Sequence, residues 1–438
     1  MKTPISDFVK KYAESRAVRL HMPGHKGLGS LGEALDITEI DGADVLYSPS
    51  GIIRESEENA SALFGTARTV YSTGGSSTSI RAMLYLATLC KNGEQAVIAA
   101  GRNAHRAFLD GAALIDFDVE WLYGEESDNI VSCRITPEYL DAFLARREVT
   151  AVYLTSPDYA GNMLDIAALS EVCHRHGTLL LVDNAHGAYL RFLPLCAHPI
   201  DLGADASCDS AHKTLPVLTG GGYLHIGKNA PKIFSEQADR AMALFASTSP
   251  SYLILQSLDR ANAYLADGYR ERLGEFVERI AAMKARLPFK TVGGEPLKLT
   301  LAPKSYGYTG AEISETLLRA GFVCEFADAD LVVMMLTPEL SDGALTALED
   351  TLCSIPRREA IKEKAPAAIV GKYVTSPREA IFKVSEEVDV RSAVGRVLAT
   401  ACISCPPAVP IAVCGELITE ETLGLFEYYG IKTVQVIK

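Results

Sequence analysis

Short apolar runs recur through the middle of the chain, and stretches with a helical period separate them. Between residues 61 and 285 the runs are TVYST (69–73), QAVIAA (95–100), VEWLY (119–123), AVYLTS (151–156), TLLLVD (178–183) and GGYLHI (221–226). Ser77–Leu89, Ile166–His176 and Tyr252–Leu273 are among the amphipathic helices expected between them. Near-continuous apolar strands alternating with helices predict an α/β fold with a doubly wound, mostly parallel sheet.

The flanks follow other patterns. Residues 1–60 are rich in loops after an amphipathic start, MKTPISDFVKKYAESR. Arg272–Arg286 predicts a helix of mixed charge leading out of the sheet region. Beyond it a strand LKLTLAP (297–303), a helix AEISETLLRAG (311–321) and one long strand VCEFADADLVVMMLT (323–337) predict a smaller α+β domain. The last stretch has helices, the CPPAVPI turn and a closing strand KTVQVIK. The expected organisation is therefore an N-terminal segment (1–60), a large domain (61–285), a small α+β domain (286–356) and a C-terminal domain (357–438).

A chain of 438 residues, 48% hydrophobic and 22% charged, suits a globular protein with more than one core. A net charge of −13 argues against nucleic acid as a partner and is compatible with a small cationic substrate. With no apolar stretch approaching about 18 residues, no membrane partner is expected. The first residues lack the apolar core and cleavage site of a secretory leader, so the expected location is cytoplasmic.

Ten cysteines in so long a chain do not make a small disulfide framework. Cys90, Cys133, Cys173, Cys208 and Cys324 fall in apolar patterns and are expected to be small buried hydrophobes. Cys402-x-x-Cys405, with Cys414 nearby, lacks a second CxxC or paired histidines, so no metal is expected.

The candidate chemistry lies at strand ends. Ser72-Thr73-Gly74-Gly75-Ser76-Ser77-Thr78 follows a strand and opens a helix, which aims N–H groups and hydroxyls at an anion such as a phosphate. A plain serine-capped turn is the alternative. His105, after the next strand, could stack on a flat heteroaromatic ring or simply cap a helix. Asp183 ends the most apolar strand, where a buried acid needs a cationic partner such as a protonated pyridine nitrogen. A helix cap is its alternative too, and His186 faces the same place from the loop.

Lys213 sits among small and apolar residues in SAHKTLPVLTGGG, where desolvation favours the neutral amine that forms a Schiff base. Ser210 can add a hydroxyl to the phosphate, and His212 can serve as a proton donor. Phosphate turn, stacking ring, ring-nitrogen acid and lysine follow the order of fold-type-I pyridoxal-phosphate enzymes. Pyridoxal 5'-phosphate is therefore the expected cofactor, with Lys213, His212 and Asp183 as the catalytic set. Gly27-Leu28-Gly29-Ser30-Leu31-Gly32 matches a dinucleotide fingerprint in form, but no buried strand precedes it.

Four stretches, LHMPGHKG (20–27), DITEIDGADVLYSPSGII (36–53), VDNAHGAYL (182–190) and SAHKTLPVLTGG (210–221), resemble the short form of the Orn/Lys/Arg decarboxylase family. CPPAVPIAVCGELITEE resembles that family's proline-rich turn followed by Gly-Glu. The resemblance implies decarboxylation of arginine, lysine or ornithine to an amine and CO2. It makes Lys213 the cofactor lysine, Asp183 the partner of the ring nitrogen and His105 the stacking residue. Gly74, Gly75, Ser76 and Ser210 become the phosphate seat, with His186 and His212 lining the cofactor. It also implies a homodimer or larger homo-oligomer with shared active sites.

Two segments depart from the family pattern: Ser48-Pro49-Ser50-Gly51 replaces His-Pro-Glu-Gly, and Cys405-Pro406-Pro407-Ala408 replaces Tyr-Pro-Pro-Gly. Both bear on the substrate end, which leaves the choice of amino acid open. Glu416, then Asp44, is the candidate carboxylate for a substrate's distal cation. Transamination or side-chain elimination, and a non-catalytic cofactor-binding homologue, are the alternatives.

Overall fold

The computed structural model describes the chain apart from residues 16, 125–129, 367–368, 401 and 406–408, and the side chains of 401–409. The Cys402/Cys405 pair and the Cys405–Ala408 departure thus lie outside the described residues. One large sheet contains β1 (Arg68–Ser72), β2 (Val97–Gly101), β3 (Asp118–Leu122), β4 (Ala151–Thr155), β5 (Leu179–Asp183), β6 (Ala206–Asp209) and β7 (Gly222–Ile226). Its strand order is β1-β7-β6-β5-β4-β2-β3. The β5–β6 and β2–β3 pairs are parallel, whereas β7 runs antiparallel to both β1 and β6.

Six of the seven strands are the six apolar runs. The missed strand, β6, is ASCD: it is short, only half apolar and masked by the motif that follows it.

Contacts divide the chain into two compact units, each discontinuous in sequence. The first comprises Met1–Gln95, Thr150–Val152 and Ile166–Glu271. It holds α1 (Pro4–Glu14), α2 (Ile52–Phe64) and α3 (Gly75–Leu89). Its core includes the buried aromatics Phe64, Tyr71, Tyr223 and Phe234. The single helix expected over Tyr252–Leu273 is broken: one helix ends at Ala266 and the next begins at Tyr269. Gly268 between them has φ +63°, a left-handed turn that glycine adopts without steric cost.

The second unit comprises Ala96–Val149, Tyr153–Asp165 and Arg272–Lys438. It contains α4 (Arg106–Ile115) and a four-stranded sheet. That sheet is built from β8 (Lys290–Val292), β9 (Lys298–Ala302), β10 (Phe326–Ala327) and β11 (Val332–Met335), in the order β10-β11-β9-β8. The long strand expected over 323–337 is a hairpin instead. Asp328 Oδ1 accepts the N–H groups of Asp330 and Leu331, each at 2.7 Å, and this turn reverses the chain. A separate core of this unit gathers Tyr159, Phe326, Leu398, Phe426 and Val436.

Among the cysteines expected to be buried, Cys133, Cys173 and Cys208 are, but Cys90 is exposed and Cys324 half-buried. Cys90 lies one residue past the end of α3, where the apolar face has run out.

Candidate active site

In the first unit the candidate residues cluster at the carboxyl ends of β1, β5 and β6. At the end of β1 the Ser72 hydroxyl donates to the Gly75 carbonyl at 2.8 Å, while Gly75 N–H donates to Gly220 O at 2.7 Å. These bonds curl the turn so that Gly75 takes φ +68° and opens α3. No side chain caps that helix, so its first N–H groups form a positive end suited to an anion. A Cβ at residue 222 would lie 2.9 Å from Asp209 O, 3.1 Å from Gly75 C and 3.3 Å from Ser76 N. Glycine there is what lets β7 lie against the first turn of α3.

Ser76 and Ser210, 134 residues apart, meet at this turn, the Ser210 hydroxyl donating to Ser76 Oγ at 2.8 Å. Two hydroxyls beside an uncapped helix start are a donor set that fits a phosphate.

Asp183 ends β5 and is 2% exposed. Its Oδ1 accepts Ala185 N–H at 3.2 Å and the Cys208 thiol at 3.5 Å. Burial pushes the Cys208 thiol well up, so it stays protonated and donates. Sequence reasoning treated Cys208 as a plain hydrophobe; the parallel register that pairs Asp183 with Cys208 is what reveals it as a donor.

Lys213 lies in a one-turn helix, Ala211–Thr214, after β6. Its Nζ is 3.0 Å from His186 Nε2. His212 bonds Gly221 O through Nδ1 at 2.8 Å, which places the proton on Nδ1 and leaves Nε2 with the lone pair in the neutral ring. Burial lowers the His212 pKa and the neighbouring Lys213 charge adds to this, against the raising effect of Gly221 O.

The other expected residues make bonds of their own. His105, in the second unit, is the N-cap of α4, its Nδ1 accepting Ala107 N–H at 3.0 Å. Asp44 is turned inward on its own loop: its carboxylate accepts the N–H groups of Val45, Ser50, Gly51, Ile53 and Arg54 at 2.7–3.3 Å. Partial burial raises its pKa, but those donors outweigh it and the net shift is downward. Asp44 thus orders the Ser48–Gly51 segment and caps α2.

Glu416, in the second unit, is buried against Arg102, with Oε2 3.2 Å from Nη2. Val413 N–H donates to the same oxygen at 2.8 Å. Arg102 already neutralises this carboxylate, so a substrate cation would have to displace a guanidinium. Residues 27–32 follow no strand and lead only into a single 3-10 turn, Glu33–Leu35, unlike a dinucleotide-binding loop.

A model of the Orn/Lys/Arg decarboxylase major domain matches residues 3–292. The chain belongs to the Orn/Lys/Arg decarboxylase family. It is 28% identical over 461 residues to the arginine decarboxylase of Bacillus subtilis, covering 96% of this chain and 92% of that one. The arginine decarboxylase of Halalkalibacterium halodurans is 27% identical over 468 residues, with 96% and 92% covered. Among solved structures, lysine decarboxylase A of Pseudomonas aeruginosa superposes with a TM-score of 0.81 at 16% identity, over 99% of this chain and 80% of that one. The lysine decarboxylase LdcF of Francisella novicida does so at 0.79 and 16%, over 100% and 81%.

The Orn/Lys/Arg decarboxylase fold is that of fold-type-I pyridoxal-phosphate enzymes, and pyridoxal phosphate is its cofactor. The helix start at Gly75, the paired serines and the buried Asp183 fit that molecule's phosphate and ring nitrogen. Among the described residues no helix is long and apolar enough to cross a membrane.

Proposed function

We propose that this decarboxylase takes arginine, with Lys213 as the residue that holds the cofactor. Pyridoxal phosphate supplies an acceptor for the electron pair left when the carboxylate departs as CO2. The chain's own groups do the rest. Asp183 would hold the ring nitrogen, its buried charge satisfied by a protonated partner. The first turn of α3 with Gly74, Gly75, Ser76 and Ser210 would hold the phosphate.

His186 orients the Lys213 amine, and the lone pair on His212 Nε2 can take and return a proton. For His105 the proposed role is the stacking ring; its bond to Ala107 N–H uses the in-plane lone pair, not the ring face. The reading includes a cytoplasmic homodimer or larger homo-oligomer, both carried by family membership.

The observation that carries the assignment of Lys213 is its 3.0 Å approach to His186, in the same unit as Asp183 and the Ser76–Ser210 pair. Arginine is favoured over lysine and ornithine because two curated relatives, each matching 96% of the chain, are arginine decarboxylases. Manometry with arginine, lysine and ornithine tests the substrate: CO2 is expected fastest from arginine, and keto-acid formation without CO2 would overturn the reaction. Lys213→Ala tests the lysine: the visible absorption band of lysine-bound cofactor is expected to vanish, and its persistence would refute the assignment.

A further inference from the structure

In the first unit, His198 from the connection between β5 and β6, Asp209 at the end of β6 and His225 on β7 form a fully buried cluster. His198 Nε2 lies 3.0 Å and His225 Nε2 3.3 Å from Asp209 Oδ2, and the three donor atoms fall within 4.8 Å of one another. The spacing invites a metal ion, but the protons argue otherwise. His198 Nδ1 accepts Ile200 N–H at 3.4 Å, so in the neutral ring the proton sits on Nε2 and points at Asp209. A ligating histidine has the reverse arrangement, donating from its outer nitrogen and keeping its lone pair for the ion.

The cluster therefore works as a clamp on a carboxylate. Asp209 Oδ2 accepts the His198 N–H at 3.0 Å with the His225 ring 3.3 Å away, and Oδ1 accepts the Asn184 amide at 2.8 Å. His225 is held from behind by Thr69 Oγ1, 2.9 Å from its Nδ1, and Thr69 in turn meets Thr66. Burial alone would push the Asp209 carboxyl up, but the two imidazoles outweigh it and hold it well below the usual carboxylate range.

The geometry points to a role, which we propose: Asp209 is a positioning residue that fixes the cofactor-facing loop through Asn184. Asn184 stands between Asp183 and His186, and its own N–H and C=O are tied to Cys208 O at 3.0 Å and Gly187 N–H at 2.8 Å. Asp209 itself directly precedes Ser210 and the turn bearing Lys213. One carboxylate thus links the loop holding the ring-nitrogen acid to the segment holding the phosphate hydroxyl and the lysine. An amide at 209 would keep the shape but set an NH2 against N–H groups of His198 or Asn184.

The proposal rests on the pyridoxal-phosphate reading of the site, and the test separates the two. With wild type, adding pyridoxal phosphate gives a visible band; absence of that band would sink the cofactor reading itself. In Asp209→Asn the band is expected to form with an altered pH dependence, and kcat to fall on the order of tenfold with KM changed far less. Asn184→Ala, at the other end of the link, is expected to alter the same pH dependence, and it decides the matter should Asp209→Asn fail to fold. If Asp209 acts through Asn184, the double variant loses no more than Asn184→Ala alone. A folded variant with wild-type band and kcat, strictly additive losses, or stoichiometric metal in the purified wild type would each overturn the positioning role.

Discussion

Gly222→Ala puts the geometry of the proposed phosphate seat to a direct test. The added methyl would meet three backbone atoms of β6 and the α3 start at 2.9–3.3 Å, and backbone cannot swing aside as a flexible side chain can. Either β7 moves from α3 or the turn at Gly75 shifts. Overpacking of this kind costs about 1–3 kcal/mol. If the turn shifts, the cost falls on cofactor binding, and roughly 1.4–2.8 kcal/mol there weakens affinity about 10- to 100-fold.

The assay is a pyridoxal-phosphate titration followed by the visible band, run beside urea unfolding of the cofactor-free protein. Gly424→Ala is the control. It sits in the helix Glu420–Tyr428, a Cβ there meets nothing within 4 Å, and the change is expected to stabilise by roughly 0.5–1 kcal/mol. Gly222→Ala with unchanged cofactor affinity and unchanged stability would refute the close approach of β7 to the seat.

Two further outcomes follow from buried charge. Glu57 is buried beneath β1, Oε1 accepting Tyr71 N–H at 2.9 Å, and burial pushes its pKa from 4.5 up to about 8. An acid raised in the folded state stabilises when protonated. Its contribution is fully present below pH 4.5 and is lost as pH rises towards 8, so thermal stability falls across that window. Glu57→Gln should flatten that fall; an unchanged slope would contradict the assignment. For the Arg102–Glu416 pair, Arg102→Met should cost about 3–5 kcal/mol in denaturant unfolding by stranding the carboxylate. Arg102→Met with Glu416→Leu should recover much of it, and equal losses in single and double variants would count against the pairing.

The candidate site was legible because its parts are local. Gly74, Gly75 and Ser76, then Asp183 and His186, then Ser210, His212 and Lys213 each occupy a short segment at a strand end, where backbone geometry and residue type suffice to suggest a task. What the pattern does not show is long-range. Glu416 looks like a spare acid until Arg102, 314 residues away, takes its charge. Asp44 reads as a binding carboxylate until its loop folds around it. Nothing in the periodicity of 323–337 shows that the Asp328 carboxylate turns the strand back.

By itself, the sequence determined the alternation of strands and helices and the order of the candidate site's segments, because hydrophobic period and turn chemistry act over a few residues. The tertiary structure decided which polar groups face each other. It brought Ser210 to Ser76, Cys208 to Asp183, and His198 and His225 onto Asp209. The physical reason is that a buried charge or donor is satisfied by whatever the fold brings within about 3 Å, and chain distance carries no information about that.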